Sequence, residues 1–413
     1  MQADAVDMSA TSGPRLHVKA IVEGMKKRGH GVRLVAIQNG RTLWTNDLVK
    51  WQPAVFGFSE SPPFRIPERL VRRVQSELQL PFLRLFDSLR FSDACVSALR
   101  GYDILYERFG LMSYGGLIAA KRLRVPIVYE VNGDLIAEWV TQGIHLSKTQ
   151  WAVISHISGE MLRRADYVIT VSDKLREVLV SRWNVDPSKV RAIPNGADIS
   201  LFMAANGHDA RRMQPLLHRH ALNGGQVIAY VGGFYAWHGI DLLLEAFSLV
   251  SGVNRAAKLL LIGDGPVRQR MESMTMSLGL RDQVVFTGMV PHAEVAALLS
   301  ISDIGVVNPR ASAPTRSQSP LKLFEYMAAG KAIVAPATPE INAILSDRIN
   351  GYLVPPDDRE ALGRAMLELL EDAQLRTKLG QAARQQAVAQ HSWDSTVADL
   401  EAIMYRLLSR TGA

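Results

Sequence analysis

The sequence predicts an α/β protein whose strands form parallel sheets in two halves. Two observations carry this. Short apolar runs alternate with longer helical patterns along the chain, the order that parallel sheets require. Residues 203–225, with His, Arg, Asn and Gly and little apolar periodicity, then divide the strands into two sets.

In the first set, a helical pattern from Val18 to Arg28 ends at Gly29, and strands are expected at 31–37, 103–107, 126–131, 167–172 and 190–194. The start is unusual. A Rossmann-like domain begins with an apolar strand before its first turn and helix, yet "MQADAVDM" is a poor strand before the turn "TSGPR" (11–15). That strand is either missing or short and polar. In the second set, strands are expected at 226–232, 258–263, 283–288, 303–308 and 332–336. Residues 359–390 and 393–409 read as closing helices, the last with Trp393, Val397, Leu400, Met404 and Leu407 on one face.

A chain of 413 residues suits two domains of roughly 200 residues each. It has no apolar run of about 18 residues to span a membrane, and its first residues lack a signal-peptide pattern. The single cysteine, Cys95, rules out an intrachain disulfide framework and fits a reducing compartment, so a cytoplasmic protein is expected. A net charge of +7 points to an anionic partner. Nucleic acid is disfavoured, because no Lys/Arg block is interleaved with aromatics. Residues 62–100 set Arg65, Arg69, Arg72, Arg73, Arg84 and Arg90 among Leu78, Leu80, Phe82, Leu83, Leu85, Phe86 and Phe91. Such a segment suits an anionic membrane surface, and equally a solvated helix with its apolar side in the core.

The motifs that bear chemistry lie mostly in the second half. In "SQSPLKLFEYMAAGKAIVAP" (317–336), Ser319 reads as a helix cap and Pro320 as the first helical residue. The free N–H groups of 319–322 can then cradle a phosphate, Lys322 adds positive charge, and Glu325 can accept from two ribose hydroxyls. An ordinary capped helix with a surface Lys and Glu fits the same residues. In "YVGGFYAWHGIDLLLEAF" (230–247), Gly232 and Gly233 permit close approach to a ligand, and His238 can donate to a phosphate or sugar oxygen. "LLLIGDGPVRQRM" (259–271) has Gly-x-Gly after a strand, but Arg268 replaces the third glycine and the acidic residue of a nicotinamide site is absent. No metal-ligand pattern and no Gly-x-Ser-x-Gly elbow occurs.

Taken together with "SGPRLHVKAIVEGMKKRGHGVRLV" (12–35), "ADYVITVS" (165–172), "IPNGADISLF" (193–202), "LIGDGP" (261–266), "VVFTGMVPHAEVAALLSISDIGVV" (284–307) and "LKLFEYMAAGKAIVA" (321–335), these motifs make the chain resemble the family-4 retaining glycosyltransferases of GT-B fold. The resemblance implies two Rossmann-like domains facing a central cleft: residues 1–205 on the acceptor side and 206–390 binding a nucleotide sugar. Residues 391–413 would form a helix returning to the first domain. It implies Glu325 as the ribose carboxylate, Phe286 and Thr287 at the nucleobase edge, Ser319, Pro320, Leu321 and Gly13 near the diphosphate, and Ser317 at the position that touches the donor sugar. Lys322, Glu325 and His238 would serve catalysis, with no cofactor and no metal. Arg108, Asn132 and Glu138, after strand ends of the first half, are candidates for acceptor or sugar contacts. The acceptor would be a glycan or lipid-linked.

Three departures stand out. The family pattern has Arg where this chain has Gly233, Lys where it has His238, and Glu where it has Ser317. Lys322 is placed to restore the lost cation. The rival readings are an epimerase or hydrolase on the same fold and a non-catalytic sugar-nucleotide-binding protein.

Overall fold

The computed structural model describes residue 8 and residues 13–38, 41–77, 85–141, 143–144, 146–206, 210–222, 225–311 and 319–411. The chain forms two compact units, one of Met1–Pro194 with Val397–Ala413, the other of Asn195–Thr396.

In the first unit, β4 (Leu105–Arg108), β5 (Ile127–Val131), β6 (Tyr167–Thr170) and β7 (Val190–Ala192) form a parallel sheet in that order. Leu105, Ile127, Tyr129 and Val168 pack one face of it against Phe91, Met161 and Leu162. The strand expected at 31–37 is β1 (Leu34–Gln38), but it does not join the parallel sheet. It pairs antiparallel with β2 (Arg41–Thr45), which pairs in turn with β3 (Gln52–Pro53). Only two residues separate β1 from β2, and a connection that short permits no parallel crossover. The poor first strand falls on residues 1–12, of which Met8 alone is described. In the last helix (Trp393–Thr411), Val397, Leu400, Ile403 and Leu407 are buried. Ile403, not Met404, completes the apolar stripe. Val397 lies against Gly24 of the Gly13–Lys27 helix, and Glu401 pairs with Arg28 at 2.7 Å.

The second unit holds a six-stranded parallel sheet of β8 (Val227–Val231), β9 (Lys258–Ile262), β10 (Val284–Gly288), β11 (Ile304–Val306), β12 (Ala332–Pro336) and β13 (Tyr352–Val354). Their spatial order is β10-β9-β8-β11-β12-β13. The chain winds outward from β8 in one direction, then returns to β11 and winds the other way. The reversal between β8 and β11 is the topological switch point, where open parallel sheets bind ligands. Five of these strands match the expected positions. β13 directly follows Gly351 and, at three residues, is too short to show a period.

Candidate functional site

β8 and β11 pair through Ile228 and Ala229 and then separate. The Tyr326 hydroxyl spans the opening, accepting from the Val231 N–H at 2.8 Å and donating to the Val306 carbonyl at 3.3 Å. Tyr326 belongs to the Leu321–Ala328 helix, so this helix stands over the switch point. Gly305 lets it do so, since a Cβ there would lie 2.6 Å from the tyrosine ring.

The helix start differs from its sequence reading. Pro320, with φ −71° and ψ 115°, is itself the cap residue, and no side chain caps the helix. Ser319 has another task. Its Oγ accepts from the Asn195 N–H at 3.3 Å, while Asn195 Nδ2 donates to the Ser319 carbonyl at 2.7 Å. Both residues are buried. Asn195 of "IPNG" therefore pins the segment whose amides face the site. Pro320 brings no N–H, and its carbonyl takes that of Leu323, so the amides a ligand can use are those of Leu321 and Lys322. Ser317 lies outside the described residues.

Gly232 follows β8 with φ 141°, a conformation for glycine. A Cβ there would meet Lys322 Nζ at 2.8 Å, so the ammonium sits on the glycine itself. Nζ also stands 3.9 Å from the Tyr230 ring centroid. Burial pushes the Lys322 ammonium down to about 7, with Glu325 opposing. A Cβ on Gly233 would meet the Tyr235 ring at 2.6 Å, and Tyr235 stacks on Trp237 at 4.9 Å. Tyr235 thus occupies the space into which an arginine at 233 would project.

His238 is not a second cation. Its Nδ1 lies 2.6 Å from the Gly233 carbonyl, which requires the N–H on Nδ1 and leaves Nε2 as an acceptor. Burial, then the charge of Lys322, pull the imidazole down to about 3. It is neutral at pH 7, so Nε2 can accept a hydrogen bond but not donate one. Arg310, in the segment that follows β11, has its charge paired with Asp241 at 2.7 Å.

Glu325 is buried, one turn beyond Lys322, and its Oε1 is 2.8 Å from Nε2 of His292. His292 opens the His292–Ser300 helix, and its ring meets that of fully buried Phe202 at 5.7 Å. Phe286 on β10 reaches the same loops through Phe234, at 6.2 Å between rings. Thr287 donates to the Gly288 carbonyl at 2.7 Å. The loops after β8, β9 and β10 are tied by Gly232 N–H to Ile262 O at 2.9 Å and Gly263 N–H to Gly288 O at 3.1 Å.

The first unit holds its own polar cluster. Arg108 ends β4, Asn132 follows β5 and Glu138 lies in the Leu135–Thr141 helix. Burial pulls the Arg108 guanidinium down, opposed by Glu130, Tyr106 and Glu138. Arg108 Nη1 and Asn132 Nδ2 are buried without a hydrogen-bond partner. His17 contacts Glu130 at 2.6 Å. Burial alone would raise the Glu130 carboxyl, but His17 and Arg108 outweigh it and hold it at about 2. Gly13 opens the helix that carries His17. Among the described residues, no three His, Cys, Asp or Glu side chains are placed to hold a metal.

Residues 11–201 match the model of Glycosyltransferase Family 4, and residues 218–386 that of Glycosyl transferases group 1. The chain belongs to these glycosyltransferases. Alpha-D-kanosaminyltransferase of Streptomyces kanamyceticus is 25% identical over 306 residues, 72% of this glycosyltransferase and 74% of the relative. Sucrose-phosphate synthase of Thermosynechococcus elongatus superposes with a TM-score of 0.70 at 19% identity, covering 99% of this chain and 98% of that one. Anabaena HepE, in complex with UDP, gives 0.65 at 19% identity, over 77% and 84%. These likenesses establish the GT-B fold of two Rossmann-like domains.

Sequence reasoning did not find His292, Asn195 or Tyr230 in the glycosyltransferase's second unit, nor His17 and Glu130 in the first. His292 and Asn195 stand inside quoted motifs, but their partners, Glu325 and Ser319, are 33 and 124 residues away.

Proposed function

We propose that the chain transfers a sugar from a nucleoside-diphosphate sugar to a glycan or lipid-linked acceptor, with retention at the anomeric carbon and with no metal. The observation that supports this most strongly is Lys322, an ammonium resting on Gly232 at the switch point beside two open helix amides. A diphosphate is the ligand that suits it. The UDP held by HepE is in line with this.

In this reading the sugar C1–O bond breaks toward the diphosphate while the acceptor oxygen bonds to C1. The leaving phosphate oxygen takes the acceptor's proton. Lys322 and the amides of 321 and 322 are aimed where negative charge grows, the preorganised arrangement that lowers such barriers. His238 Nε2 accepts from a sugar hydroxyl. Glu325 binds the ribose, Gly233 and Ser319 shape the phosphate loop, and Phe286 and Thr287 flank the base. Arg108 Nη1 and Asn132 Nδ2 offer donors to the acceptor or sugar. The test is incubation with UDP-, GDP- and ADP-sugars and a panel of glycan and lipid acceptors, with the product's anomeric configuration read by NMR. A transfer product with the donor's configuration is expected. Free sugar without transfer, or binding without turnover, would overturn the proposal.

We also propose that the chain works at an anionic membrane surface. Of the two readings left open for residues 62–100, the buried one holds for Phe86 and Phe91. In the Pro62–Glu77 helix it holds for Phe64, which is buried, while another side of the helix stays exposed. There Ile66, Leu70 and Val74, one turn apart, are 67%, 64% and 43% exposed, beside Phe58 at 64%. Arg65, Arg69 and Arg73 each precede one of them. An apolar row edged with arginine complements an anionic bilayer. Arg84 and residues 78–83 lie outside the described residues. Binding to phosphatidylglycerol vesicles but not to phosphatidylcholine vesicles is expected, with a roughly tenfold or larger loss in the Ile66→Ser/Leu70→Ser double variant. Equal binding to both vesicle types would contradict it.

A further inference from the structure

We infer that His292 sets the preference of the site for ribonucleotides by fixing the carboxylate of Glu325. The inference rests on the reading of Glu325 as the ribose ligand. A carboxylate grips a cis-diol only when both its oxygens face the two hydroxyls, and the terminal torsion of Glu is broad and two-fold, so nothing in the side chain itself selects that orientation. In this protein the selection comes from outside. His292 Nε2 lies 2.8 Å from Oε1, and each carboxylate oxygen keeps a further lone pair for a ligand hydroxyl. The imidazole is itself held. It stands in the first turn of its helix after Pro291, with its ring edge-on to that of fully buried Phe202 at 5.7 Å. Phe202 closes the "IPNGADISLF" segment, whose Asn195 pins Ser319 ahead of the Glu325 helix. One stretch of chain therefore braces both the amides that face the phosphate and the carboxylate that faces the ribose. His292 is a positioning residue in this arrangement, acting on the ligand only through Glu325.

The experiment compares dissociation constants for whichever of UDP, GDP and ADP binds with that for its 2′-deoxy counterpart. It uses wild type, His292→Phe, which keeps a ring against Phe202 but no N–H, and His292→Gln, which restores a donor. Wild type is expected to favour the ribonucleotide by about tenfold or more, the value of a hydrogen bond to a charged group. His292→Phe is expected to reduce that ratio to less than about threefold, chiefly by weakening the ribonucleotide, and His292→Gln to recover part of it. A general loss of structure would weaken both nucleotides together and leave the ratio alone. An unchanged ratio in His292→Phe, with the ratio lost in Glu325→Ala, would overturn the role of His292 alone. An unchanged ratio in Glu325→Ala would overturn the ribose reading and this inference with it.

Discussion

Lys322→Met is expected to weaken nucleoside-diphosphate binding by about a hundredfold and to raise stability at the same time. The loss follows from removing a charge-assisted contact to phosphate in a site where His238 is neutral and Arg310 is paired with Asp241. The gain follows from the cost of burying the ammonium. Its value falls from 10.5 in the open chain to about 7 in the folded one, so between those limits the unfolded state binds more protons. Stability of the wild type therefore rises with pH from about 7 to about 10.5, and below 7 the burial cost is present in full. Methionine removes that cost, on the order of 2 kcal/mol at pH 6.5. Ligand binding has the opposite slope. The diphosphate favours the charged amine, so wild-type affinity is greatest below pH 7 and falls as the pH rises beyond it. The groups facing Nζ are Tyr230, His238 and Glu325, and His238, pulled down to about 3, stays neutral over this range. Titrations and melts at pH 6.5 and 9 check both trends. A variant that melts lower and binds as well as wild type would make Lys322 a structural residue.

Gly263→Ala is expected to destabilise the second unit by about 3 kcal/mol or more. Gly263 follows β9 at φ 136°, and a Cβ there would lie 2.1 Å from the carbonyl oxygen of Gly232 and 3.0 Å from its carbon. Those are backbone atoms of the loop on which Lys322 rests, and they are fixed by the Gly232 N–H to Ile262 O bond. The strain must move the phosphate loop, so nucleotide affinity falls with stability. Gly252 is the control, because a Cβ there meets nothing within 4 Å. Gly252→Ala should leave the denaturation midpoint unchanged or slightly higher. Equal midpoints for the two variants would show that the loop after β9 yields, and that the site is less rigid than its contacts imply.

The parallel sheets were legible because buried strands such as "VIAYV" and "KLLLI" are continuous apolar runs between helical patterns. β2 was not, since "RTLWT" is half polar and lies on a small antiparallel sheet with one exposed end. In the site, residue types were legible and their states were not. Lys322 and His238 stood out as ligand groups, yet only the fold shows that a carbonyl at Gly233 fixes the tautomer of His238. Ser319 before Pro320 reads as a cap from local preference. The long-range pull of Asn195 assigns it elsewhere. The arginine row at 65, 69 and 73 was visible as charge, but which side of its helix faces the core depends on Phe64 and Glu68, buried beneath it.

We propose that the switch point between β8 and β11 holds a nucleoside diphosphate through Lys322. The direct measurement is calorimetric titration at pH 6.5 of UDP, GDP and ADP against the corresponding monophosphates, in wild type and Lys322→Met. One diphosphate should bind at least about tenfold more tightly than its monophosphate, and that gap should collapse in the variant. Absence of binding by all three diphosphates, or an undiminished gap in Lys322→Met, would contradict the account.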